Sequence, residues 1–456
     1  MGDTGNTTSL RRRILRAGVW TLGGHVAGQF LRLASNLIMT RLLVPEMFGI
    51  MVLANVIMVG LALFSDIGLN QGIIQCKRGG DPAYLNTAWS VQILRGALIW
   101  ATALGIGGGL YLLGKGEWLP LGSVYADPIL PFVIVALSFN ALISGFTSTR
   151  IATANRNLAM GRVTLVELIS QLAGMVCMIG WALIDRSIWA LVLGALFAGV
   201  LRVFLSHTIV PGEKNRLHWD RDAFAEIFGF GKWIFLTSII GFLAANGDRV
   251  ILGWLVDPAT LGLYAIAFFL VSALQEAFSK FIGNVAFPAL SEVVRERRAS
   301  LKSVYYKFRL PMDIATLVSA GLLFSAGHLL IQVLYDSRYQ DAGHMIEILA
   351  ISLFGIRFSL AGQCFLAMGL PKLLIPIYIA WFSALFLLMP LAYEIWNLEG
   401  ALWIAGGSML FSLPVTVYQK IRYGLFDLKH ELIVLPLLGV GYLLGVGLNH
   451  MALAIS

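Results

Sequence analysis

The sequence predicts an all-α polytopic membrane protein: two parallel six-helix bundles around a central cavity, plus at least one further C-terminal span. Three observations carry this. Of 456 residues, 58% are hydrophobic and 13% charged, with mean hydropathy +0.80. A soluble domain is about 25% charged, and so little polar surface could not cover a core of this size. The apolar runs are long enough to cross a bilayer and are cut by short charged loops. Finally, residues 18–54 recur without a gap 213 positions later. Gly18, Trp20, Gly28, Ile38, Leu42, Pro45, Gly49 and Ala54 match Gly231, Trp233, Gly241, Ile251, Leu255, Pro258, Gly262 and Ala267. Each copy reads as an apolar helix, a short turn with Pro, and a second apolar helix. Two similar membrane-spanning halves suit a chain that moves something across a membrane.

Taken in order, the expected spans are 16–40, 48–75, 85–113, 128–150, 158–184, 188–209, 229–254, 259–288, 309–335, 343–369, 373–393, 399–419 and 431–455. Pro436 and four later glycines weaken the thirteenth as a helix. Charge orients the set. With the N-terminus cytoplasmic, the inner segments carry 22 basic residues and the outer ones four: Arg41, Lys115, Arg186 and Arg338. Both repeat copies then start on odd-numbered spans, which makes the halves parallel repeats about an axis along the membrane normal. The domain reading is an N-terminal lobe over 1–209, a polar cytoplasmic linker over 210–228, a C-terminal lobe over 229–419, and a loop with an additional span over 420–456. Residues 291–309 read as a basic amphipathic helix on the inner surface, through contact with anionic lipid or through positive-inside topology alone.

Composition also excludes. The net charge of +8 points to no nucleic acid, because the basic residues sit in loops between spans. Cys76, Cys177 and Cys364 are far apart and define neither a disulfide framework nor a metal site. The seven histidines contain no HxH or HExxH pattern, so no structural metal is expected. Arg11, Arg12 and Arg13 precede an apolar run as in a signal peptide. That run carries His25, Gln29 and Arg32 and lacks a small-residue cleavage site, so it reads as the first span. The Asn6-Thr7-Thr8 sequon lies in a tail read as cytoplasmic.

An ionisable residue at mid-bilayer costs about 2.5–3.5 kcal/mol on insertion scales, so each needs an account. His25, Gln29, Arg32 and Asn36 fall at i, i+4, i+7 and i+11, on one face of the first span. Arg32 lies roughly 20 Å along that helix, too deep to snorkel easily. It either lines a polar cavity or is a buried arginine holding another helix. Arg95, Arg249, Lys280 and Arg357 occupy other depths; Arg95 and Arg357 are placed where a cavity could use them, whereas Arg249 and Lys280 also fit interface anchoring. Lys280 follows Glu276 by four residues, the spacing of an intrahelical salt bridge. Arg202 and Lys232 fall near the inner face and are discounted. Among the acids Asp66, Glu167, Asp248, Glu276, Asp313 and Glu347, a carboxylate in a cavity could exchange a proton and couple transport to an ion, or could be a static partner for arginine. Glu167, Asp248, Glu276 and Glu347 are the coupling candidates. Asp313, just after Pro311, reads as an N-terminal helix charge. Basic residues predominate in the membrane interior, and cationic walls imply an anionic substrate. Arginine's planar fork suits phosphate oxygens.

The segments RLASNLIMTRLLVPEMFGIMVLANVIMVGLALFSDIGLNQGIIQ (32–75), DPAYLNTAWSVQILRG (81–96) and ANRNLAMGRVTLVELISQ (154–171) resemble Wzx-type polysaccharide flippases. These belong to the multidrug/oligosaccharidyl-lipid/polysaccharide (MOP) exporter superfamily. The resemblance covers almost the whole chain in span order, and its motifs are family-level. It implies a two-bundle transporter that turns a polyprenyl-pyrophosphate-linked oligosaccharide from the inner to the outer leaflet of a bacterial cytoplasmic membrane. It further implies alternation between inward- and outward-open states, often with ion antiport. No cofactor is called for beyond coupling to H+ or Na+. The expected partners are the lipid-linked oligosaccharide, membrane lipids, and a polysaccharide polymerase and chain-length regulator. Thirteen spans depart from the twelve or fourteen of such proteins, which leaves the C-terminal side open. On this reading Arg32 and Arg357 bind pyrophosphate, with Arg95, Arg249 and Lys280 adding to the cationic cavity and His25, Gln29 and Asn36 to its polar face.

Three rivals were weighed. A multidrug and toxin exporter of the same superfamily would share the fold but show mainly acidic cavity residues. A membrane polymerase or ligase needs a sizeable outer catalytic loop, and the longest outer connection, 114–127, has 14 residues with one lysine and two acids. A scaffold would have no use for costly intramembrane arginines. The scaffold is repeated but its cationic groups are not: Arg32 aligns with Ala245, and Asn36 with Arg249.

Overall fold

The computed structural model describes residues 4–65, 69, 73, 76, 78–157 and 159–455, and the side chains of these apart from 4–17, 227–240, 284 and 455. Asp66 and Lys77 lie outside the described residues, as do the side chains of Arg11, Arg12, Arg13 and Lys232. The chain divides into two compact units, Met1–Phe242 and Leu243–Ser456. Among the described residues nine segments are long and apolar enough to cross a membrane, or ten if Leu130–Gly145 and Arg150–Arg156 form one span bent by 64°. Twelve of the thirteen expected spans fall chiefly on helix; of the second, 48–64 is helical and most of 66–75 lies outside the described residues.

Unit 1 begins with α1 (Thr4–Leu42) and α2 (Pro45–Phe64). Val44 is extended and Pro45 takes the first helical position, where its fixed φ and missing N–H cost nothing. α3 (Pro82–Lys115) starts the same way, with the Asp81 carboxylate accepting from the Ala83 amide. α4 (Leu130–Gly145) and α5 (Arg150–Arg156) follow. The carbonyls freed by the bend between them are satisfied from α3: Gln92 Nε2 donates to Ser144, Gly145 and Thr147 at 3.0–3.1 Å. α6 (Met160–Ile184) and α7 (Trp189–Thr208) cross where Gly174 and Gly194 meet. A Cβ on either would fall 2.9 Å from the other's carbonyl oxygen, so only glycine permits this approach.

The expected linker is a strap on unit 1. Residues 211–220 run without regular structure, but side chains of α3 accept their amides: Arg216 to Asn86, His218 to Ser90 and Asp220 to Thr87, at 2.9–3.1 Å. Asn215 joins Ser148 and Thr149 at 2.6 Å each. Asp220 then starts α8 (Arg221–Leu255), accepting the Ala223 amide at 2.8 Å. That amide, with Arg78 nearby, holds the Asp220 carboxyl below its ordinary range. The division between the units falls within α8.

In unit 2 the second repeat copy ends in α9 (Pro258–Phe281), again with proline first and Asp257 accepting the Thr260 amide. A π-helical turn, Ile282–Ala286, carries it into α10 (Phe287–Glu296), where Pro288 has no amide to give. The amphipathic segment expected over 291–309 divides here. α10 ends at Glu296, and α11 (Leu301–Leu334) follows as one long helix with Pro311 inside it. The tenth span is broken into α12 (Ala342–Leu349), α13 (Ile351–Ile356) and α14 (Ser359–Ala367). α15 (Leu374–Gly407) leaves helical geometry at Trp396 and Asn397, which separates the eleventh and twelfth spans. α16 (Leu413–Arg422), the short α17 (Leu428–Leu432) and α18 (Pro436–Ile455) complete the chain.

α18 is no appendix. Its Gly441 and Gly445 face Gly321 and Ser325 of α11 so closely that a Cβ on Gly441 would lie 2.2 Å from the Val318 carbonyl oxygen. Ser325 Oγ donates to Tyr442 O at 3.0 Å, and Asn449 Nδ2 to Ser325 O at 2.7 Å. Glycines that weaken a helix in water are the contact surface where backbones pack in a membrane. Pro436 begins the helix rather than breaking it.

Candidate functional site

α1 carries three stripes. One packs on α6: Gln171 Nε2 donates to Gly28 O at 2.9 Å, Gly24 abuts Thr164, and Ser35 Oγ reaches Met178 Sδ at 3.9 Å. A second, Val19, Leu22, Val26 and Phe30, is apolar and exposed. The polar set His25, Gln29, Arg32 and Asn36 is one residue on from the packing stripe, about 100° around the helix. Arg32 is exposed, and the other three are half-buried. The polar face is therefore not the one α1 uses to hold α6.

Arg95 lines a cavity of about 440 Å³ within unit 1, between α2, α3, α4 and α7. Its Nε donates to Ser65 Oγ at 3.0 Å and its Nη2 to Ala62 O at 2.5 Å, which fixes the guanidinium at the end of α2. Asn140 shares the cavity, and among the described residues its buried Oδ1 has no hydrogen-bond partner. So does Arg202, discounted from the sequence as an inner-face residue; it pairs with Glu167 at 3.7 Å, both side chains about half exposed.

In unit 2 Arg357 departs furthest from expectation. It is not a cavity wall but part of a buried ionic network. Arg357 Nε lies 2.9 Å from Asp313 Oδ1, and Nη2 donates to Oδ2 at 3.1 Å. Arg309 Nε donates to Asp313 Oδ2 at 3.2 Å, while its Nη1 and Nη2 grip the two oxygens of Glu431 at 2.6 and 2.5 Å. Lys420 Nζ also pairs with Glu431 Oε1, and Tyr306 OH donates to it at 3.1 Å. Arg309 and Lys420 are 0% exposed, Arg357 and Asp313 1%. Three cations thus share two carboxylates. Arg357 is a buried arginine that ties helices together, the role weighed from the sequence for Arg32 and not for Arg357. Asp313 is corrected with it: it sits about three turns inside α11, not at a helix start.

Arg249 and Asp248 are also committed. Asp248 is buried and accepts from Tyr264 OH, Arg249 Nε lies 3.6 Å from its carboxylate, and the guanidinium stacks 3.7 Å over Phe268. Arg249 is therefore not an interface anchor. Lys280 is exposed, and among the described residues no ion pair joins it to Glu276, which is half-buried. Glu347 braces two elements, accepting the His328 amide of α11 at 3.2 Å with His344 Nδ1 at 3.7 Å.

The sequence reading missed Arg309, Lys420 and Glu431, counting the two cations among inner loops. One signal was present: Arg309 and Asp313 are four residues apart on a single helix, the spacing of an intrahelical pair. Glu431 gave none, because a carboxylate in LKHEL meets α11 only through the tertiary fold.

The polysaccharide biosynthesis protein family matches residues 38–344, more than half of the chain. The lipopolysaccharide biosynthesis protein WzxC of Escherichia coli K12 is 21% identical over 349 residues, covering 75% of this chain and 67% of that protein. A putative O-antigen transporter of Shigella flexneri is 23% identical over 365 residues, 75% of this chain and 81% of its own length. Among solved structures, the lipid II flippase MurJ in an inward closed conformation shares the fold, with TM-score 0.66 over 96% of this chain and 100% of that one at 12% identity. Helical architecture and sequence agree: this multi-pass membrane chain belongs to the polysaccharide biosynthesis protein family.

Proposed function

We propose that the protein is a Wzx-type flippase that carries a polyprenyl-pyrophosphate-linked oligosaccharide from the inner to the outer leaflet of the bacterial cytoplasmic membrane. The family match over 38–344 carries this reading, supported by relatives named for lipopolysaccharide biosynthesis and O-antigen transport. The chain moves its substrate by alternating access, with the N-terminus cytoplasmic, and delivers an exopolysaccharide or O-antigen repeat unit to a polymerase and chain-length regulator. The α1 stripe of His25, Gln29, Arg32 and Asn36 meets the pyrophosphate: it is polar at membrane depth and turned away from the α6 contact. Glu167 is the best placed coupling carboxylate, since protonation would release Arg202 at 3.7 Å, with H+ or Na+ as the driving ion.

The test is delivery of lipid-linked glycan to the outer leaflet in cells whose only flippase is this chain. Arg32→Ala should abolish delivery while the protein still inserts and unfolds at its usual temperature, and Arg32→Lys should restore part of it. Normal delivery by Arg32→Ala would remove that residue from the mechanism. Export of cationic dyes without any glycan delivery would replace the whole reading with that of a small-molecule exporter.

A further inference from the structure

A cavity of about 1030 Å³ lies at the basic end of unit 1, walled by α1, α5, α6 and the strap at 210–213. Two arginines face it. Arg150 is fixed by carbonyls alone: Nε donates to Glu213 O at 2.9 Å, and Nη1 to His207 O at 2.5 Å and Val210 O at 3.3 Å. Arg162 is exposed and makes one long bond, Nη1 to Ile209 O at 3.4 Å. Among the described residues neither guanidinium forms an ion pair. Glu213 brings one carboxylate to the rim, so the two arginines keep a net positive charge.

Two further features shape what could bind. The Trp20 indole lies against Gly161, where a Cβ would fall 3.2 Å from the ring, and the residue remains 43% exposed. α6 begins here with Ala159 as its cap, which offers no side-chain acceptor to the first-turn amides. Those amides add donors and positive potential to the arginines.

We propose that this pocket is the docking site for the pyrophosphate–sugar headgroup of the lipid-linked substrate on the side from which it is loaded; the proposal rests on the flippase reading above. Carbonyls orient Arg150 without neutralising it, and arginine forks match pyrophosphate oxygens. The volume is at the upper end of ordinary ligand pockets, about 300–1,000 Å³, and far exceeds what a lone phosphate fills. The indole supplies a flat apolar surface for a sugar ring.

The experiment uses the full chain in phosphatidylcholine nanodiscs and a polyprenyl pyrophosphate bearing one sugar with a photoreactive diazirine. Crosslinks are mapped by peptide mass spectrometry. Labelling should fall within residues 150–165 and 210–213. Arg162→Gln should reduce it about tenfold, the loss of one charge-assisted contact, and Glu213→Gln should increase it. Excess phosphatidylglycerol should not compete. Labelling confined to other regions, unchanged labelling in both variants, or displacement by phosphatidylglycerol would each overturn the pocket assignment. The flippase reading is judged separately, by whether the same preparation in vesicles moves the lipid-linked sugar between leaflets.

Discussion

Arginines at the basic end of unit 1 and arginines inside unit 2 are chemically identical and differently held. Arg150 is gripped by three carbonyls and Arg162 by one, with no carboxylate on either. Arg309 and Arg357 are closed on Asp313 and Glu431. A carbonyl orients a guanidinium but leaves its charge to act on whatever comes near, whereas a bidentate carboxylate uses both geometry and charge. The first pair is thus equipped to meet an anion and the second, with Lys420, to join α11, the end of α13, α16 and α17. Residue type and depth do not separate a binding arginine from a strut; the partner does.

The sharpest test of that contrast is the charge imbalance in unit 2. Glu431→Gln leaves Lys420 buried without its anion and Arg309 with Asp313 alone, and removal of one partner from a buried pair costs about 3–5 kcal/mol. Lys420→Met instead removes the surplus cation, and replacing a buried ion by an apolar group of like volume is often neutral or stabilising. Thermal unfolding in detergent should therefore show a large loss for Glu431→Gln, little change for Lys420→Met, and partial recovery in the double variant. Equal losses in both single variants would mean that the network does not carry an excess positive charge.

Much of this was legible in the sequence, and what was not has a physical reason. Spans, the repeat and loop charge depend on composition and local order, so the expected spans fall chiefly on helix among the described residues. The polar stripe of α1 follows from spacing alone and survives as a face distinct from the α6 contact. Arg357 was misread because depth in a span is a one-dimensional property, while its partners Asp313 and Glu431 lie 44 and 74 residues away. The strap at 211–220 was read as a linker because its amides are satisfied by side chains of α3, a pattern without a period.

A smaller effect separates the glycines of α18, which crosses α11. Gly441→Ala drives a methyl into the Val318 carbonyl, and overpacking of this kind costs about 1–3 kcal/mol. Gly439 has nothing within 4 Å of a Cβ, so Gly439→Ala should be neutral or gain up to about 1 kcal/mol from helix propensity. Unfolding midpoints of the two variants, only two residues apart, should move in opposite directions or by clearly different amounts. A common shift would mean that α18 does not meet α11 through Gly441.

The smallest effect is expected at Asp427, which caps the short helix that presents Glu431. The His430 side chain at 3.1 Å, the His430 amide at 3.3 Å and Lys302 at 3.4 Å hold its carboxyl down at about 2. A folded-state value below the ordinary 3.8 means that the stabilisation is complete above that ordinary value and lost as pH falls through the lower one. Above about pH 5 the carboxylate stays charged in both folded and unfolded chains, so its own ionisation adds no pH dependence there. The Asp427 side chain is 28% exposed, unlike the buried network it supports, and an ion pair open to solvent adds little. Asp427→Asn should therefore lower the unfolding midpoint only slightly at pH 7, with the difference from the parent closing as the pH falls from about 4 towards about 2. A difference that persists undiminished at about pH 2 would show that the Asp427 carboxylate does not hold α17 in place.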